Sequence, residues 1–290
     1  MPYVIKLLHP KGERLPEQNS GYEGEMDWAI DHRSLGLNCG GHRRKLLSCF
    51  GRSLASLDGK PADGQIMFWG EWEPPSRYKK MKHPSLGKDG LPSYIHTPSI
   101  RYIQEEERVL NTDPYVLGTT FYYSCCQQAR LLAKHDLPEN SIILFGSRFK
   151  HRFILDTVFV VERAVESIKL TATAREAIIA AHPNRPADMS LFAGKMRTDT
   201  QTEMFSFFPC LPSSDTRGFT RPTLTFNDLD LANYGVHWSD DQNQGFACTW
   251  LEDGMTSKLW HAVVAKVFSN KLNLGVYAEE PALDKRNNND

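Results

Sequence analysis

Residues 141–161, SIILFGSRFKHRFILDTVFVV, are the longest strongly apolar, β-branched tract in the chain and constrain its fold most. Ile142 to Phe145 and Phe153 to Val161 read as the two strands of a β-hairpin, since β-branched and aromatic side chains pack well on a pleated surface. Gly146-Ser-Arg-Phe-Lys-His-Arg152 reads as a basic turn between them, seven residues long and so long for a hairpin. Alternation puts Phe153, Leu155, Thr157, Phe159 and Val161 on one face and Ile154, Asp156, Val158 and Val160 on the other. Both faces are mostly apolar, which predicts a central strand covered on both sides. Asp156 is the exception. A carboxylate on an apolar face must find donors or ionise reluctantly, so it either bonds local backbone amides or marks a ligand site.

Residues 65–76, Gln-Ile-Met-Phe-Trp-Gly-Glu-Trp-Glu-Pro-Pro-Ser, have the most unusual composition. A short strand from Ile66 to Trp69 is expected to end at Gly70 and deliver Glu71, Trp72 and Glu73 into a proline-terminated loop. Trp69 and Trp72 beside two carboxylates suit an aromatic wall for a nucleobase or a methylated cation. The alternative is that both indoles anchor the core and both acids are solvated or paired. From Pro74 to Pro98 five prolines interrupt the basic run Arg77, Lys79, Lys80, Lys82 and Lys88, with Tyr78 and Met81 interleaved. This reads as a long, Pro-rich surface loop over 74–98, either a solvated linker or a phosphate-backbone contact.

A chain of 290 residues with 40% apolar residues can bury a full core. The formal net charge of −1 gives no global field toward nucleic acid, but residues 1–152 carry 21 Lys+Arg against 17 Asp+Glu, which allows a local basic surface. No apolar run is long enough to span a bilayer, and the opening MPYVIKLLHP lacks a signal-peptide core, so no membrane partner is expected. Six cysteines, including the adjacent Cys125-Cys126, do not make a disulfide framework and fit a cytoplasmic location.

Other elements follow from local chemistry. Tyr3 to Leu8 is an opening strand, 11–44 mostly irregular, and Glu105 to Glu107 an exposed helical face. Tyr115 to Tyr123 reads as a strand, leading into a helix over 125–135 that Ser124 can cap. Thr173 can cap a short helix over 174–181. Glu203 to Phe208 and Thr223 to Phe226 read as strands. Asp253 or Thr256 caps an amphipathic helix with Leu259, Val263, Val264, Val267 and Phe268 as its apolar stripe. Leu274 to Tyr277 returns to the sheet, and 281–290 is a disordered tail. Arg217 and Arg221 flank a glycine and can clamp an anion, or are plain surface arginines.

Strand, helix, Pro/Glu/Asn loop, Ile-Ile-Leu-Phe-Gly, polar turn and Phe-Ile-Leu-Asp-Thr-Val-Phe-Val-Val follow one another over residues 120–165. In that order the segment resembles the central strands of PUA-like barrels, the group of ASCH, EVE and YTH domains. The resemblance implies a barrel that binds RNA or modified bases, with Trp69 and Trp72 as candidates for the base-enclosing wall.

The fold class expected is α+β. It is one globular unit over 1–280, a strongly curved, mostly antiparallel sheet or partly open β-barrel with peripheral helices and long loops. Three functions are compatible with the residues. The first is a binding module for nucleic acid or a modified nucleotide, using Trp69 and Trp72, the turn residues Arg148, Phe149, Lys150 and Arg152, Arg217 and Arg221, and the backbone-contacting Arg77, Tyr78, Lys79, Lys80 and Lys82. The second is an enzyme on a nucleotide or nucleic acid with Glu71, Glu73 or Asp156 as general acid or base. The third is a structural or regulatory interaction domain. No cofactor motif is present. Cys39, His42 and Cys49 lack the paired spacing of a structural zinc site, so no metal is expected. Cys125 or Cys126 with a distant histidine leaves a Cys–His enzyme open. The oligomeric state is not legible.

Overall fold

The computed structural model describes residues 1–9, 13–17, 21–30, 43–82, 92–103, 109–124, 137–149, 152–166, 169–179, 191–198, 203–215, 219, 223–224, 234, 245–252 and 254–284. In chain order the strands are β1 (Tyr3–His9), β2 (Glu23–Met26), β3 (Arg44–Leu54) and β4 (Ala62–Glu71). They continue with β5 (Ser76–Lys80), β6 (Tyr94–Pro98), β7 (Ile100–Arg101) and β8 (Tyr122–Tyr123). Next come β9 (Ile142–Phe149), β10 (Arg152–Val165), helix α1 (Ala172–Ile178), β11 (Leu191–Gly194), β12 (Phe208–Pro212) and β13 (Thr223–Leu224). Last are β14 (Gly245–Trp250), helix α2 (Met255–Ser269), β15 (Asn273–Ala278) and β16 (Leu283–Asp284).

The strands form two main sheets. One runs β14-β1-β9-β10-β11-β8, with β13 also on β10. The other runs β15-β12-β4-β3-β6-β5-β2, and an extra β15–β3 pairing closes β15, β12, β4 and β3 into a four-strand ring. Most pairings are antiparallel; β1–β9, β3–β6 and β7–β16 are parallel. The expectation of a curved, mostly antiparallel, β-rich α+β chain holds at that level. The ring uses none of the strands of the 141–161 hairpin, which lies in the other sheet. Gly275 closes the ring: a Cβ there would lie 2.0 Å from Cε2 of Phe208. No described helix is long and apolar enough to cross a membrane.

The hairpin is the centre of its sheet, but its turn is shorter than expected. Gly146 to Phe149 continue β9, with Ser147 opposite Ile154 and Phe149 opposite Arg152. The register then shifts between Leu155 and Thr157, because Leu155 pairs with Gly146 and Thr157 with the adjacent Phe145. Asp156 is the extra residue of a β-bulge. This bulge corrects the alternation. Phe153 and Leu155 pack in one core cluster with Val158 and Val160, whereas Phe159 and Val161 pack in the other. From Phe153 to Val161 both faces of β10 are buried, as a central strand requires.

Several local expectations change. The 74–98 stretch, read as a loop, carries β5 and β6, paired over Ser76–Pro98 to Lys80–Tyr94. Of the span from Tyr115 to Tyr123 only β8 is strand, with Tyr115 bridged back to Tyr122. Thr171, not Thr173, caps α1, its Oγ1 accepting from the Ala174 amide at 3.0 Å. α2 begins after Gly254, whose φ of 84° needs glycine, and no side chain caps it. Its stripe of Leu259, Val263, Val264 and Val267 is buried as expected and joined by Trp260, whose Nε1 donates to the Phe205 carbonyl at 2.9 Å. The strand expected to end at Phe208 instead begins there, and β14 was not foreseen. Leu283 and Asp284, placed in the tail, pair with Ile100 and Arg101. The 105–107 acids and the helix over 125–135, with Cys125 and Cys126, lie outside the described residues.

A buried ionic cluster and a cationic sheet edge

The three carboxylates singled out in the sequence come together with cations. Arg44 opens β3 and lies directly opposite Glu71 at the end of β4. Its Nη2 is 3.9 Å from Glu71 Oε2, and its Nε is 2.7 Å from Asp156 Oδ2 on the bulge of the other sheet. All three side chains are fully buried. The bulge is what aims Asp156: an in-register residue there would have followed the apolar alternation of β10. Burial of an ion pair is stable only when partner and geometry offset the lost hydration, and here one guanidinium serves a carboxylate from each sheet.

The next residue, Lys45, points the other way and is also fully buried. Its Nζ donates to the Pro74 carbonyl at 3.2 Å and to Ser76 Oγ at 3.0 Å. Ser76 Oγ is in turn 3.1 Å from His96 Nδ1 on β6. Burial pushes Lys45 down to about 7, with the nearby Arg14 cation lowering it further and Glu73 opposing. Burial likewise pushes His96 down to about 3, helped by Lys45 and Arg14, so the imidazole is neutral at ordinary pH. Glu73 lies 3.8 Å from Arg14, and its amide donates to Thr112 Oγ1 at 3.0 Å. Sequence reasoning missed Arg14, Arg44, Lys45, Ser76 and His96. In the sequence, Arg44 and Lys45 stand in the basic run His42-Arg-Arg-Lys45.

Trp69 and Trp72 do not form one wall. Trp69 belongs to the core cluster of Met67 and Leu46, Trp72 to that of Phe68 and Tyr115, and both are buried. Trp72 Nε1 donates to the Pro75 carbonyl at 2.9 Å, tying the Pro74-Pro75 corner to the core.

β5 turns the cluster into a surface. Ser76 and Tyr78 face inward and are buried, while Arg77, Lys79 and Lys80 are exposed, as is Lys82 just beyond the strand. Tyr78, expected at a nucleic-acid surface, instead packs edge-on against Tyr94 at 5.5 Å and beside His96. Gly24 of β2 makes room for it, since a Cβ there would lie 2.6 Å from the Tyr78 hydroxyl. Arg77 and Lys79 lie opposite Glu25 and Glu23 of β2, the last strand of its sheet, and the exposed Arg77–Glu25 pair is 4.0 Å apart. The Lys80 amide donates to the Tyr22 carbonyl at 2.7 Å, and Lys82 Nζ stands 5.9 Å from the Tyr22 ring centroid.

The hairpin tip is described only in its backbone for Arg148, Phe149 and Arg152; Lys150, Arg217 and Arg221 lie outside the described residues. Cys39 and His42 lie outside them too, and Cys49 is a half-buried thiol pushed up to about 12 by burial. Among the described residues, no three His, Cys, Asp or Glu side chains are grouped to hold a metal ion. One cavity of ≈ 450 Å³ borders the edge and is lined by Glu25, Asp27, Arg77, Arg101 and Asp284 among others. Another of ≈ 490 Å³ lies by Lys195, which Glu203 and Glu139 engage at 2.8 and 3.7 Å. Comparison with protein-family models, curated proteins and solved structures gives no match.

Proposed function

We propose that this chain is a cytoplasmic binding module for nucleic acid or a nucleotide, with the phosphates held by the exposed cations of β5. The observation that carries the reading is the exposed set Arg77, Lys79, Lys80 and Lys82, four cations within six positions next to the edge strand of its sheet. Such a row neutralises phosphates and releases their counterions, the main source of sequence-independent affinity. The described thiols Cys49, Cys210 and Cys248 are free, which supports a reducing compartment. The resemblance of residues 120–165 to PUA-like barrels adds little to the reading, since the hairpin that carries it lies outside the closed ring. With both indoles buried, the base is held elsewhere than between Trp69 and Trp72. Fluorescence anisotropy with labelled oligonucleotides and with a nucleoside triphosphate at about 50 mM salt tests the reading. Binding that weakens when the four cations are changed to Gln supports it; no binding of either ligand removes it.

A second reading, an enzyme on the same class of ligand, draws support from the meeting of Glu71 and Asp156 on Arg44 and of Glu73 with Arg14 and Lys45. Perturbed titratable groups gather at catalytic sites, and they also gather in structural ion networks. The burial of all three carboxylates favours the structural role. Loss of turnover with binding retained in Glu71→Gln or Asp156→Asn is the result that would raise the enzymatic reading above the first.

A further inference from the structure

We infer that the partner at this edge is single-stranded, with an unpaired base stacked on Tyr22 and its phosphates on Lys80 and Lys82. The inference rests on the nucleic-acid reading above and narrows it to one face of β5.

Strand alternation divides the basic run in two. Arg77 and Lys79 share the face on which Glu25 and Glu23 stand opposite them, with the exposed Arg77–Glu25 pair 4.0 Å apart. Lys80 stands opposite Tyr22 and Tyr94 instead, and Lys82 closes over the Tyr22 ring. Among the described residues, neither lysine makes an ion pair. They are two positions apart, Lys80 ending β5 and Lys82 just beyond it, within reach of neighbouring phosphates of one strand.

Tyr22 supplies what a duplex cannot use. It is an exposed large aromatic residue, with 42% of its surface open, fixed by the Lys80 amide on its carbonyl and bordered by an ammonium. In a duplex each base face is already covered by its neighbours, so a ring of this kind gains a stacking partner only from an unpaired base. Base-on-tyrosine stacking with adjacent cations tolerates any sequence, because every base has a π face. Arg77 and Lys79 then serve as a weaker, general electrostatic flank.

The test is anisotropy at low salt with four probes of one sequence: single-stranded DNA, single-stranded RNA, and the two duplexes. Single strands should bind at least tenfold tighter than duplexes, and the DNA and RNA arms separate the two sources of the same chemistry. Tyr22→Ala should weaken single-strand binding about tenfold, with Tyr22→Phe close to wild type and duplex binding unmoved. Lys80→Gln/Lys82→Gln should weaken single strands more than Arg77→Gln/Lys79→Gln does. All these positions are at the surface, and matching melting curves verify that each variant is folded. Equal affinity for single strands and duplexes, or Tyr22→Ala behaving as wild type, overturns the inference while leaving salt-dependent binding, and so the broader reading, in place. Absence of binding to every probe, and to a nucleoside triphosphate as well, overturns both.

Discussion

Arg44 Nε and Asp156 Oδ2 stand 2.7 Å apart with both side chains fully buried, joining β3 of one sheet to the bulge of β10 in the other. The pair crosses from one main sheet to the other, and its carboxylate stands on the one extra residue inserted in β10.

Removing one partner leaves an uncompensated buried charge. Asp156→Ala should therefore lower stability by about 3–5 kcal/mol, and Asp156→Asn by less. Urea denaturation measures this. The double variant Arg44→Met/Asp156→Leu should recover much of the loss, since a well-packed apolar pair can replace an ion pair. A double variant no better than Asp156→Ala would show that the pair is not the unit that matters.

Lys45 makes stability depend on pH in a defined direction. Its folded pKa of about 7 lies below the ordinary 10.5, so between those values the unfolded chain binds the proton and the folded chain does not. Stability from this group therefore rises as pH goes from about 7 toward 10.5, and below about 7 the full penalty of charging a buried amine is present. Lys45→Met should flatten the slope of unfolding free energy across pH 7–9. His96 acts the same way in acid: with its folded pKa near 3 against an ordinary 6.5, stability falls as pH drops through that window. His96→Gln should remove that share of the acid loss.

Gly146 pairs with Leu155 beside the bulge of β10. A Cβ there would lie 2.2 Å from the Ile154 carbonyl oxygen and 2.4 Å from Cζ of Phe153. Backbone cannot yield as a side-chain tip can, so Gly146→Ala should destabilise by at least about 1–3 kcal/mol. A melting temperature equal to wild type would contradict the hairpin register.

Trp72→Ala should lower stability by about 3–5 kcal/mol, through lost volume and the lost bond to the Pro75 carbonyl. The milder Trp69→Phe should leave nucleic-acid affinity unchanged. A selective loss of binding in a stably folded Trp69→Phe would restore the aromatic-wall reading.

How far the sequence reveals this follows from the range of the forces involved. The hairpin was legible because its two strands are adjacent and continuously apolar. Asp156 was legible as an anomaly, but the face swap around it was not: a bulge is one residue of register, invisible to a period-two pattern. Arg44 and Lys45 stood in a basic run at the end of an irregular segment, while their partners lie far along the chain on other strands. The pairing of β3 with β4 and β6, and the approach of the β10 bulge from the other sheet, bring them together. β5 was masked by Pro74, Pro75 and Pro98, which frame the strand rather than break it. Tyr78, inward between outward Arg77 and Lys79, carried the alternation that would have shown it. Tyr22 carried no signal of its own, since its role depends on which strand pairs with β2.

The most direct measurement is the salt dependence of single-strand binding, compared between wild type and the variant with Arg77, Lys79, Lys80 and Lys82 changed to Gln. Wild type should show log K falling linearly with log salt. The variant's slope should be shallower by about 0.7 for each removed cation that had contacted a phosphate. Equal slopes in the two proteins, or a wild type that binds no single strand at low salt, would contradict the assignment of this strand as the nucleic-acid surface.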